Sequence, residues 1–249
     1  TMNPYMTQTH SASDVALVEN IVSQRLKGSI LWMVVGLLTT IGIGAYTLMN
    51  PAWLRFGISN FNVLLLIELG VVFLFSMRTY SANVMTLRGM FFIYSALNGI
   101  TLSIVSVGYG IVDVALPAFI GALAFFIAFA VVGLTTKKNL SSFYPYMGAA
   151  LLGMVLVSLA FMAGNYFNIG WITAINSSTF SLVMGYIGVI LFSIFTAVDM
   201  NMIKNTVTQL ALTEDETILE RVEIAGALSL YLDFVNLFLS LLRIFGNKK

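Results

Sequence analysis

The sequence predicts an all-α protein, a polytopic membrane bundle of seven transmembrane helices. Three observations predict it. Of 249 residues, 59% are hydrophobic and only 9% charged, whereas a soluble domain carries about 25% charged residues to cover its water-facing surface. Seven apolar stretches are each long enough to span a bilayer, which takes about 20 mostly apolar residues. None alternates apolar and polar residues in the ~10-residue manner of a membrane barrel. Lipid offers the backbone no hydrogen-bond partner, so each stretch is predicted to be a helix.

In order, the spans fall at 29–49, 60–77, 89–109, 117–136, 146–164, 177–200 and 223–245. Pro51, in "NPAWLRFGIS", stops the first. "RTYSANVMTLR" joins the second to the third, and "GIVDVAL" the third to the fourth, which Pro117 is placed to start. "KKNLSSFYP" leads into the fifth. "NYFNIGWITAIN", between the fifth and sixth, carries the Tyr, Phe and Trp of an interfacial belt. The sixth span is rich in Val, Ile and Phe, a strand composition in water that length and lipid override. "KNTVTQLALTEDETILERVE" is the longest polar connection, and its Glu214, Asp215, Glu216 and Glu220 read as solvated loop charges, as does Asp113. Gly36, Gly42, Gly44, Gly148, Gly153, Gly185 and Gly188 allow close helix packing. The domain reading is a polar cytoplasmic segment 1–28, a seven-helix domain 29–245 and a short basic tail 246–249.

Basic residues near the spans set orientation. Arg25 and Lys27, Arg78 and Arg88, Lys137 and Lys138, and Lys204 and Arg221 share one side, which places the N-terminus in the cytoplasm. Arg55 stands alone opposite until Arg243, Lys248 and Lys249 of the tail, which argue for a re-entrant final segment as the alternative to a full crossing. The polar start lacks the apolar core of a cleaved signal peptide. A net charge of +1 without a basic stripe indicates no nucleic-acid partner. With no cysteine, disulfides and thiol catalysis are excluded.

Few charges remain within the spans. Glu68, Asp199 and Asp233 do, with Arg78 at the end of the second. Intramembrane acids are costly and mark function by default. Asp233 lies about 15 Å along its helix from Glu223. Asp199 reaches a similar depth if its helix continues to about residue 209, and "DMNMIKNTVTQ" has no Pro or Gly to stop it. Asn236, three residues after Asp233, shares its face and can donate a hydrogen bond. Two carboxylates in contact cannot both ionise cheaply, so they take up and lose protons as a unit. Protonated, such a pair latches two helices; deprotonated, it repels unless Arg78 or a divalent ion intervenes. The bland alternative is that each acid separately caps backbone or pairs with a base. Two or three acids with Asn98 or Asn236 fall short of the 6–8 oxygens of a calcium storage site. Weak, transient coordination of calcium at Asp199 and Asp233 suits these residues better.

"ALSLYLDFVNLFLSLLRIFG" resembles the C-terminal signature of the Bax inhibitor-1 (transmembrane Bax inhibitor motif) family, most closely its bacterial members. "IGVILFSIFTAVDMNMIK" is similar to the family's sixth-helix motif, where an Asp precedes a Lys by five residues, as Asp199 precedes Lys204. "KKNLSSF" and "IELGVVFLFSMR" also resemble their counterparts. The resemblance implies a central last helix wrapped by the other six, in a bacterial inner membrane. It implies a hydrogen-bonded pH sensor at Asp199 and Asp233 that gates a calcium leak, with Glu68 and Arg78 communicating with the pair. Calcium is then a permeant ion and no cofactor is implied; the partners are calcium ions, protons and the lipid bilayer.

Other classes are weighed against this. Presenilin-like proteolysis needs Tyr-Asp and Gly-x-Gly-Asp, but Leu232 separates Tyr231 from Asp233 and Val198 precedes Asp199. A Ser–His dyad fails because His10 lies in the polar N-terminus, so no enzyme is expected. A regulator of membrane proteases or cell-death factors, docking through the 205–222 loop, and a proton-coupled cation transporter are the alternatives.

Overall fold

A computed structural model describes residues 12–247; His10, Lys248 and Lys249 lie outside them. Its helices are α1 (Ala12–Met49), α2 (Pro51–Ser59), α3 (Phe61–Arg78), α4 (Val84–Tyr109), α5 (Leu116–Thr135), α6 (Tyr144–Tyr166), α7 (Gly170–Thr173), α8 (Ser177–Leu210) and α9 (Glu216–Gly246). A π-helical turn, Ile111–Ala115, leads into α5. Seven of the helical runs are long and apolar enough to cross a membrane; α2 and α7 are short pieces between spans. The protein is a multi-pass membrane protein of all-α class.

Short polar side chains set the starts. Asn50 accepts from the amides of Ala52 and Trp53 ahead of α2, Asn83 from Thr86 ahead of α4, and Asn176 from Ser178 ahead of α8. These are N-caps, each satisfying otherwise orphaned amides. Gly110 ends α4 at φ 101, a left-handed conformation that disfavours any side chain.

Two boundaries differ from the sequence expectation. The first helix begins at Ala12, so residues 12–28 continue the span instead of forming a separate segment. Part of this stretch is held against α9: Arg25 pairs with Glu223 and Glu216, and Ser29 Oγ donates to the Glu223 carbonyl at 2.8 Å. The connection between the last two spans is far shorter than its polarity suggested, because α8 runs to Leu210 and α9 starts at Glu216. Glu214 stays an exposed charge in the turn, but the other acids of this connection are engaged. Asp215 caps α9 by accepting from Ile218 N, Glu216 pairs with Arg25, and Glu220 with Arg88 at 3.5 Å. The 205–222 docking loop is therefore mostly helix.

α9 is the axis of the bundle. It is the most buried span, 72% of its apolar window against 11% for α6. Its principal neighbours are α8, α1, α5 and α4, while α3 packs mainly on α4, and α6 on α8. The wrapping by six helices thus resolves into an inner ring and an outer pair. Tyr231, Phe234, Leu237 and Leu242 are fully buried along α9.

The 31 residues of α9 extend about 45 Å, and Gly246 lies against Tyr109 at the far end of α4. The last segment crosses fully, which removes the re-entrant alternative. Arg25, Arg88, Lys204 and Arg221 lie toward one end of the bundle, the basic end; Arg55 and Arg243 belong to the opposite end.

Of the small residues, Gly36, Gly44, Gly185 and Gly188 do sit at close approaches, whereas Gly42, Gly148 and Gly153 face open space. The tightest crossing falls at Gly133 of α5, where a Cβ would collide with the Ala197 carbonyl of α8. Gly133→Val is expected to exceed the ~1–3 kcal/mol of ordinary overpacking, because the obstacle is backbone and cannot rotate away. Thermal melting in detergent checks this, with Gly148→Val, on an open face, expected to melt like the wild type.

Candidate functional site

Asp199 of α8 and Asp233 of α9 are 5% and 4% exposed. The α8–α9 register is set by Gly226 against Ile203 and Gly188 against Ser240. That register puts Asp199 near the level of Leu230, so Asp233 lies about one turn, ~5 Å along the axis, further toward the opposite end. The carboxylates feel each other's charge. Asp199 Oδ1 and Asp233 Oδ2 are buried without a hydrogen-bond partner. The two acids meet diagonally across the α8–α9 contact. No ion pair to either is found among the described residues.

Access differs between the two acids. A crevice of about 100 Å³ at the basic end reaches Asp199 between Tyr80, Thr206, Val222 and Ser229. Asp233 does not line it. The first turns of α9, which wall this crevice, are pinned by Arg25 from α1, by Arg88 from α4, and by Arg221, which donates to the Tyr80 carbonyl at 2.5 Å.

The other expected residues are placed as follows. Asn236 does not donate to Asp233; its amide bonds the Leu232 carbonyl of its own helix at 2.8 Å. Lys204 turns away from Asp199 and donates to the Leu134 carbonyl of α5 at 2.9 Å. Asn98 donates to Tyr94 O. Glu68 is 7% exposed and accepts from Thr101 Oγ1 at 2.8 Å. Its charge is felt by Tyr94 and Tyr231, whose rings meet edge-on at 5.8 Å. Tyr231 in turn shares a 2.6 Å hydrogen bond with Thr40. Glu68 thus approaches the α9 turn that carries Asp233 through tyrosines. Arg78 is exposed at the end of α3, ten residues or ~15 Å along the helix from Glu68.

Two residues were missed in the sequence. Asn201, 1% exposed, donates to the carbonyls of Gly133, Thr136 and Lys138 and accepts from Leu140 N. With Lys204 it caps the end of α5 from α8, which locks those two helices together beside Asp199. An Asn two positions after the motif's Asp was the available signal. Tyr144, opening α6, feels the charge of both aspartates and packs edge-on against Phe195 at 6.2 Å; nothing local announces that contact. Among the described residues no three His, Cys, Asp or Glu side chains gather to hold a metal ion.

Fold and site together define a class, a seven-span membrane protein with a pair of acids buried between its last two helices. The chain belongs to the Bax inhibitor-1 family: the family model described as "Inhibitor of apoptosis-promoting Bax1" matches residues 22–249. It is 38% identical over 223 residues to the inner membrane protein YbhL of Escherichia coli (strain K12), covering 88% of this chain and 89% of the relative. An uncharacterized membrane protein of Streptococcus pyogenes serotype M1 is 40% identical over 181 residues, covering 73% and 72%. An uncharacterized protein of Deinococcus radiodurans is 34% identical over 219 residues, covering 88% and 87%.

Proposed function

We propose that this protein is a pH-sensitive, calcium-permeable leak of a bacterial inner membrane, with its basic end and N-terminus in the cytoplasm. One observation carries the reading: two buried carboxylates from adjacent helices, within reach of each other's charge, with no cationic side chain among the described residues paired to either. A proton or a passing cation relieves the repulsion within such a pair. A proton shared by Asp199 and Asp233 draws α8 and α9 into one register. Loss of that proton leaves two like charges that separate the helices, and the crevice at Asp199 is where the change alters access. Two carboxylates supply too few oxygens to retain calcium, which suits transient contact during passage. Glu68 biases α9 through Tyr94 and Tyr231, and Arg78 acts from the aqueous end of α3.

The test is calcium entry into dye-loaded liposomes containing only the purified protein, across a pH series. Entry whose rate changes with pH is expected. Silence at every pH would overturn the leak and favour the alternative suggested by the family description, a regulator that works through partner proteins. Entry driven by an imposed proton gradient would instead mark a proton-coupled transporter.

A further inference from the structure

Toward the end of the bundle opposite Arg25, a slot of about 280 Å³ runs between α1, α4, α5 and α9. Its walls include Leu37, Leu102, Phe119, Val235 and Phe238. Two of its three hydroxyl residues already have partners within the protein. Thr40 bonds Gly36 O, Ser95 O and Tyr231, and Ser103 donates to Ile100 O. Water has little reason to enter, since an apolar cavity stays dry. An empty slot would forfeit dispersion contacts along its whole wall. The medium at its mouth decides between these outcomes. Ile41, Ile111 and Leu116 line the slot and are 50%, 45% and 53% exposed, all within membrane-spanning segments. The slot therefore opens onto hydrocarbon. Its rim includes the π-helical turn at Ile111–Ala115, a local geometry frequent at functional sites.

We propose that this slot binds one acyl chain of a phospholipid drawn from the leaflet at that end of the bundle. The chain would lie along Leu102 and Phe119 and end near Thr40 and Phe234. Phe234 directly follows Asp233, and Thr40 bonds Tyr231, so an occupied slot abuts the turn of α9 that bears the buried acid. The proposal concerns lipid binding alone and stands whether or not ions pass through the protein.

Native mass spectrometry of the full chain with dioleoylphosphatidylglycerol tests it. The wild type is expected to retain one lipid after detergent exchange. Ala45→Phe and Ser106→Phe, which fill the slot, are expected to lower that retention about tenfold. Leu156→Phe, on the lipid-facing side of α6, is expected to leave it unchanged. Equal retention in all four proteins, or none in the wild type, overturns the proposal. A second measurement does not depend on the filled variants folding. With Trp32, Trp53 and Trp171 replaced by phenylalanine, a bromine-labelled acyl chain should quench Phe119→Trp to saturation at one lipid per protein. Leu156→Trp should be quenched only in proportion to total lipid. Proportional quenching at both positions would mean annular lipid and no site.

Discussion

Asp233→Asn and Asp199→Asn are each expected to carry calcium into liposomes at a rate that no longer changes from mildly acidic to mildly basic pH. Both wild-type carboxylates are buried, each has an oxygen without a partner, and no base among the described residues pairs with either. An amide keeps the shape and stays neutral, and its NH₂ can donate to the unpartnered oxygen opposite. Either substitution removes the like-charge repulsion that deprotonation creates. The double variant should therefore resemble each single variant instead of adding to it, as residues acting as a unit do. The measurement is dye-reported flux over the pH series for wild type, both singles and the double. Unchanged pH profiles in both single variants would remove the aspartates from the sensing role. A flat profile in the singles that reappears in the double would do the same.

Arg25→Ala is expected to cost about 3–5 kcal/mol of stability, because it strands the buried Glu223 charge, and Glu223→Gln is expected to cost less, because Arg25 keeps Glu216. The Arg25 and Glu223 side chains are 8% and 10% exposed and meet at 3.0 Å. Glu216 also touches Arg25, at 2.8 Å, but is 77% exposed. Pairs of that kind are worth only ~0–1 kcal/mol, so Glu216→Gln should be nearly silent. The paired replacement Arg25→Met with Glu223→Met should recover most of the loss, since a buried ion pair is often no better than apolar side chains of similar volume. Thermal or denaturant unfolding of the detergent-solubilised variants measures all four. If Glu216→Gln cost as much as Glu223→Gln, the buried bond would not be the one that fastens α1 to α9.

Much of the fold was legible because bilayer insertion is decided locally. A run of apolar residues either satisfies the ~30 Å hydrocarbon core or does not, and Pro51, Asn83, Asn176 and Asp215 mark stops and starts through contacts within a few residues. The first helix was read too short, and the last connection too long, for one shared reason. Polarity alone reads as loop, whereas Arg25, Glu216, Glu220 and Arg221 are polar because they bind across helices. Of the site, the two aspartates stood out as charges in hydrocarbon. Tyr144 did not, since a tyrosine near a span's end is ordinary at an interface, and its approach to Asp199 joins residues far apart in the chain.

By itself, the order of residues determined that this chain crosses a membrane seven times and carries acids where acids are expensive, because both follow from the transfer of each segment between water and lipid. Only the tertiary structure decided that Asp199 and Asp233 are staggered by a turn, that Asn201 and Lys204 cap α5, and that Arg25 closes on Glu223. Those facts depend on how one helix is rotated and shifted against another. That register is set by collisions such as Gly133 against Ala197, about which hydropathy carries no information.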